Sequence, residues 1–276
     1  MRKVYVAFLI SLFLSVIAFQ RVGAQETVED FNYEKAYQDY IYTQNIYSKN
    51  HADYLLARGQ YLQAGTLAAQ TKARDATSLM LQSRDDVMTT YLTAVRLRLS
   101  ESTGVTDSTK EAWYTRVDNE ISWYEDHKSR LPSAGTLDDL VNDSDDAVDQ
   151  FDEITEGLIY EGLTTITIGK VVTFRDQVTD ILERLKTKIA EVKANGDIDT
   201  TIIDRWVLET ENKLTRSIEK QVEAQGLISD LQDPKKKDKQ NIYNDAISRL
   251  QESTQFLKEA NNFNNEIIQR IKREDK

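Results

Sequence analysis

The sequence predicts an all-α protein, an elongated antiparallel helical bundle of about seven helices. Three observations predict it. Only two prolines, Pro132 and Pro234, occur in 276 residues. Apolar residues recur at steps of three and four rather than two, which is the period of helices and not of strands. Chain breakers are few and sit among turn residues: Gly104, Pro132 with Gly135, Gly196 and Pro234.

The first element is MRKVYVAFLISLFLSVIAFQRVGAQ. Arg2 and Lys3 form a basic start, Val4 to Phe19 is an apolar run broken only by Ser11 and Ser15, and Val22-Gly23-Ala24 offers a peptidase site. This predicts a secretory signal peptide over 1–24, cleaved before Gln25, and so a secreted or cell-surface location. The apolar run is shorter than the roughly 20 residues of a membrane span, although an uncleaved anchor is the other reading. Cleavage removes Arg2, Lys3 and Arg21 and no acid, taking the net charge from −11 to near −14. That balance argues against nucleic acid and anionic lipid as partners, and no stable membrane insertion is expected after cleavage. With no Cys, neither a disulfide framework nor a thiolate metal site exists.

Helices are predicted near 29–63, 67–101, 108–131, 136–162, 166–194, 198–231 and 238–273. Two carry clear seams. Tyr114, Val117, Ile121, Tyr124, Lys128 and Leu131 advance by alternating threes and fours, as in a coiled coil. Tyr243, Ala246, Leu250, Ser253, Leu257, Ala260, Asn264, Ile267 and Ile271 do so for longer. The breaks at 64–66 and 163–165 are the weakest. Residues 163–174, LTTITIGKVVTF, are rich in β-branched side chains, which helices tolerate less well. They are read as a helical junction, with a buried helix start or a short strand as alternatives.

An internal repeat organises these helices. Aligning Trp113 with Trp206 sets WYTRVDNEIS against WVLETENKLT, and one residue of slippage sets GVTDST against GDIDTT. Gly104 and Gly196 suit a left-handed helix stop. Asp107 or Ser108, and Asp199 or Thr200, suit the N-cap of the helix that follows. The domains expected are a signal peptide over 1–24, a Tyr-rich helix within 25–65, a three-helix unit over 66–162 and a second over 163–276. This arrangement resembles the spectrin repeat, in which a linker helix joins consecutive three-helix units. The texture of ARGQYL, TKARDATSLML and RDDVMTTYLTAVRLRL is also similar to secreted helical proteins of candidate-phyla bacteria. Neither resemblance implies an activity.

Two surfaces are candidate partner sites. Tyr33, Tyr37, Tyr40, Tyr47, Tyr54 and Tyr61 share one heptad seam, with Gln44, His51 and Arg58 between them. The seam is either covered by the first unit, with one wet ring edge per tyrosine, or free to bind another helix. The second surface is the acidic run with Asp138, Asp139, Asp143, Asp145, Asp146, Asp149 and Asp152. It reads as a solvated face, as a weak calcium surface or as a docking face for a cationic partner. The lysine turn PKKKDK, 234–239, offsets it if the units approach.

Catalytic patterns are missing. His51 and His127 are the only histidines, and HExxH, GxSxG and P-loop spacings are absent. The S-x-x-K match at 217–220 lacks its companion motifs. The stretch from Asp197 has Ile202 and Leu208 where a calcium loop needs Gly and Glu. No cofactor and no metal is expected. The sequence therefore points to a non-enzymatic scaffold that binds a protein or self-associates through helical surfaces. The rival is a binding protein with a small apolar or aromatic ligand near Trp113, Trp123 or Trp206.

Overall fold

The computed structural model describes residues 32–195 and 200–274. The expected signal peptide over 1–24 and Gly196 to Asp199 of the second loop lie outside the described residues. Among those described there is no strand, and the chain is all-α. The helices are α1 (Tyr33–Ala64), α2 (Leu67–Ser100), α3 (Asp107–Arg130), α4 (Leu137–Gln150), α5 (Glu156–Asn195), α6 (Thr201–Gly226), the short α7 (Ile228–Gln232) and α8 (Lys239–Glu274). A 3-10 turn, Leu131–Ser133, follows α3, and a π turn, Phe151–Thr155, joins α4 to α5.

Local chemistry explains most of the starts and stops. Asn32 begins α1 by accepting the Lys35 N–H at 3.1 Å. Gly65 ends it in the left-handed region, φ 60°, with its N–H on the Tyr61 carbonyl. Thr66 then caps α2 through the Ala69 N–H. The expected break at 64–66 is thus a full stop and restart. Thr136 and Asp139 form a reciprocal capping box at the start of α4. The cap of α3 is Thr106 rather than Asp107 or Ser108, its hydroxyl accepting the Thr109 N–H. Thr200 is the N-cap of α6, without a side-chain bond to the helix backbone; its hydroxyl donates to Asp204 Oδ2 at 3.2 Å instead.

Residues 163–165 are no break at all. The π turn and the helices on either side of it form one continuous rod, so, the five-residue α7 apart, the described residues make six rods rather than seven. The physical reason is burial. Thr164, Thr165, Ile166, Ile168 and Val171 are all at most 7 % exposed. The helix-propensity cost of a β-branched residue is at most roughly 0.7 kcal/mol. Burying an Ile or Val side chain contributes about 1.5–3 kcal/mol, so burial wins. Thr167 also returns its hydroxyl to the Leu163 carbonyl at 2.8 Å.

The glycines of this rod allow close crossing. A Cβ on Gly162 would lie 2.6 Å from the Trp113 ring, and one on Gly169 would lie 2.6 Å from the Thr103 carbonyl. Gly104, φ 73°, faces Gly169 from the α2–α3 loop, where a Cβ would meet the Gly169 carbonyl at 2.3 Å. Gly104→Ala combines strain with that clash. It is expected to cost more than the ~1 kcal/mol that a glycine-to-alanine change gains where the backbone permits it, as read by urea unfolding.

Two main cores lie along α5. One gathers Leu92, Val95 and Leu99 of α2, Trp113, Val117 and Tyr124 of α3, and Leu158, Ile159 and Ile166 of α5. The other gathers Ile168, Val171, Val178 and Leu182 of α5, Leu214 and Ala224 of α6, and Ala246, Leu250, Leu257 and Ala260 of α8. The predicted α8 seam is buried from Ala246 to Ile271. Its polar members bond across the core: Ser253 donates to the Ser217 carbonyl at 2.8 Å and Asn264 Nδ2 to the Val178 carbonyl at 3.1 Å, while Asn264 Oδ1 is buried without a partner among the described residues.

The α3 seam is rotated from the one expected. Its buried line is Trp113, Val117, Glu120, Tyr124, His127 and Leu131, while Tyr114, Ile121 and Lys128 flank it half-buried. Two ionisable residues therefore face inward.

Candidate functional site

The tyrosine seam packs largely on α2. Tyr33 and Tyr40 are buried; Tyr37, Tyr47, Tyr54 and Tyr61 are half-buried. Tyr40 meets Tyr91 at 5.1 Å between ring centres, and Arg98 lies 4.9 Å over the Tyr33 ring. Burial pushes the Tyr33 phenol up to about 12, against the pull of Arg98. Tyr47 and Tyr54 pack beside Met80, Leu81, Leu131 and Leu140, and His51 lies between their rings.

The acidic run stays at the surface. Asp138, Asp139, Asp145, Asp146, Asp149 and Asp152 are exposed and Asp143 is half-buried. Asp139 is held below the ordinary carboxylate value by hydrogen bonds from the Thr136 hydroxyl and backbone. Among the described residues, no group of three or more His, Asp or Glu side chains is placed to hold a metal ion. The apolar side chains of this helix face are exposed too, Val141 at 55 % and Val148 at 46 %.

Sequence reasoning missed a buried polar junction around the π turn. Glu120 is 4 % exposed and accepts from Gln150 at 2.7 Å and from the Thr155 hydroxyl. The Tyr124 and Thr155 hydroxyls meet at 2.9 Å. Burial raises the Glu120 carboxyl above its usual range, opposed by the Thr155 and Gln150 hydrogen bonds. Lys239 is 1 % exposed, and its Nζ donates to the Asp152 and Glu153 carbonyls at 2.5 and 2.8 Å. A π turn disturbs the regular helical ladder, and this lysine satisfies carbonyls within it. One member of the lysine turn thus meets the backbone of the acidic run. Burial lowers the Lys239 ammonium, opposed by Glu156, Asp152 and Glu153. Glu161 is also buried and holds Arg116 and Gln232.

A second buried pair sits higher on α3. His127 Nδ1 lies 2.7 Å from Asp85 Oδ2, and its Nε2 lies 2.9 Å from the Asp143 carbonyl. The Trp123 ring stacks on the imidazole at 5.0 Å, nearly parallel. One signal was available in the sequence: Glu120 and His127 continue a 4-3-4-3-4 spacing from Trp113 to Leu131, a seam passed over because it is not wholly apolar.

Two open clefts lie on the surface. One of about 140 Å³ is bounded by Arg98, Glu101, Ser102, Thr103 and Lys170. Its cations face the carbonyl end of α2, where positive charge is favourable, and Lys110 donates to the Ser100 carbonyl nearby. The other, about 550 Å³, lies among Leu79, Gln82, Leu131 and Pro132. Neither is bounded by a tryptophan. Trp113 is 1 % exposed and donates through Nε1 to the Leu158 carbonyl at 3.1 Å. Trp206 is half-buried beside Ile189, Ile203, Ile267 and Ile271.

The described residues thus form an all-α bundle whose buried polar groups join helix to helix. No helix among them is long and apolar enough to cross a membrane. No protein-family model matches the chain, and neither a curated protein nor a solved structure is significantly similar to it.

Proposed function

We propose that this chain is an exported, non-enzymatic helical scaffold that binds a protein partner along its surface. The observation that carries the reading is the outer face of α4. Val141 and Val148 lie exposed one heptad apart. Asp138 and Asp145, with Asp152 of the adjoining π turn, follow at the same seven-residue spacing, all exposed. An apolar stripe edged by carboxylates suits an amphipathic helix with apolar heptads and Lys or Arg at its margins. The other signs of the reading are the export signal and the acidic balance of the sequence.

The elongated, spectrin-like form belongs to this proposal. The first unit, 66–162, draws its core from α2, α3 and the start of α5. The second, 163–276, draws its core from the rest of α5 with α6 and α8. The helix across 162–166 serves as the linker helix of a tandem array, preceded by the tyrosine-rich helix. The rival reading, a small apolar ligand enclosed beside a tryptophan, has less support. Gly162 lies hard against Trp113, and the clefts above open elsewhere.

The test is a titration of the isotopically labelled chain with a synthetic amphipathic helix of leucine heptads flanked by lysines. Amide shifts confined to α4 and the π turn, lost in the Asp138→Asn, Asp145→Asn, Asp152→Asn triple variant and weakened by salt, are expected. Shifts elsewhere, or shifts indifferent to the three substitutions, would sink the α4 face as the docking surface.

A further inference from the structure

Helix α4 is held by little apolar packing. Of its 14 residues only Leu140 and Ala147 are buried. None of its aspartates Asp138, Asp145, Asp146 or Asp149 has a salt-bridge partner among the described pairs. Its middle is tied to the bundle by an Arg84–Ser144 hydrogen bond at 3.3 Å and, in the buried interior, by a pair of hydrogen bonds through one imidazole. His127 of α3 reaches the backbone carbonyl of Asp143 on α4 with Nε2, and the carboxylate of Asp85 on α2 with Nδ1.

The protonation state follows from what each nitrogen faces. A carbonyl oxygen only accepts, so Nε2 must carry a hydrogen. That leaves Nδ1 as a bare lone pair in the neutral ring. Facing an ionised carboxylate 2.7 Å away, two lone pairs would meet with nothing between them. A second proton is therefore required between Nδ1 and Oδ2. The imidazole is 1 % and the carboxyl 0 % exposed, so water cannot relieve the contact. Asp85 Oδ1 has no hydrogen-bond partner, and Arg84 Nε is 4.0 Å from it.

We propose that Asp85 and His127 form a proton latch: one proton held between Oδ2 and Nδ1, with Nε2–H on the Asp143 carbonyl, docks α4 on α2 and α3, and loss of that proton releases α4. The latch concerns how α4 is held and does not depend on what α4 binds.

The surrounding charges pull in both directions. On α2, Arg84 opposes protonation of the ring, while Asp86 is engaged by Lys128 of α3 at 2.6 Å. On α3, Glu120 and Tyr124 face the Thr155 side of the core. On α4, Ser144 accepts from Arg84 at 3.3 Å, and on α1 Tyr47 faces Arg84. Burial favours the neutral Asp85 and raises its carboxyl, more than the His127 and Arg84 contacts lower it. Burial pulls the His127 ring down, but the Asp85 bond and charge and the Asp143 carbonyl raise it above 6.5. Both groups bind protons more tightly folded than unfolded. Their contribution to stability is thus present in full below the unfolded values and lost as pH rises through the folded ones.

The test uses the whole chain, which has two histidines to assign, His51 and His127. Imidazole nitrogen signals are followed from acid to alkaline pH, with amide exchange of α4 measured alongside and corrected for intrinsic base catalysis. The expected result is a His127 ring protonated at both nitrogens below a transition above 6.5. Protection of residues 140–147 should fall about tenfold per unit of upshift across that transition, while α6 and α8 keep theirs. His127→Gln supplies an amide that does not titrate, and should leave α4 protection independent of pH. If that variant fails to fold, the wild-type titration alone decides. A His127 transition at or below its ordinary value, or α4 protection unchanged across it, overturns the latch.

Discussion

Trp113→Ala is expected to lower the unfolding free energy by about 3–5 kcal/mol, the range for a buried large aromatic cut to alanine. The indole is 1 % exposed and sits where α3 crosses α5. Gly162 has no side chain to move into the hole, and Val95 already touches the space above it. The substitution also removes the Nε1–H bond to the Leu158 carbonyl, worth about 1 kcal/mol net. For a chain of this length the loss corresponds to a melting-point drop of roughly 6–20 °C. Urea unfolding measures it directly. A loss below about 1.5 kcal/mol would mean a loosely packed crossing that collapses around the missing ring.

Leu257→Ala is the matching experiment in the other core, with an expected loss of about 2–5 kcal/mol. Leu257 is fully buried between α5, α6 and α8. Its neighbours along the α8 seam are Ser253 and Ala260, both fully buried and too small to fill the vacated volume. The two cores share α5 but no residue. Losses in the double variant should therefore add to within about 0.5 kcal/mol, as for separated sites. A clear excess over additivity would show that the continuous rod transmits strain from one core to the other.

Much of this fold is legible in the sequence because helices are encoded locally. The α8 seam can be read residue by residue, since a 3-4 pattern over nine positions admits one buried face. Thr136 with Asp139, and Gly65 with Thr66, set helix ends through groups within four residues of the backbone they serve, although neither pair is among the caps read from the sequence. The same locality explains the failures. The stretch from 163 to 174 looked like a junction because its residues are weak helix formers in isolation. The face of α3 was misread because Ile121 looked a better core residue than Glu120.

Of the candidate surfaces, the acidic run could be read as exposed, and its aspartates are at the surface apart from the half-buried Asp143. The tyrosine seam left two readings open, and α2 covers much of it. The buried polar groups were not legible at all. Asp85 finds His127 across 42 residues, and Lys239 reaches the Asp152 carbonyl across 87. No window of sequence contains both partners.

By itself, then, the sequence determined the all-α class, most helix limits and the long seam of α8. These rest on backbone propensity, capping and periodicity, each acting within a turn or two. Only the tertiary structure decided that α4 and α5 are one rod, that Glu120 and His127 turn inward, and that Lys239 closes the π turn. Those choices are settled by burial and by hydrogen bonds between distant segments. Each is worth more than the few tenths of a kcal/mol by which most residues differ in helix preference.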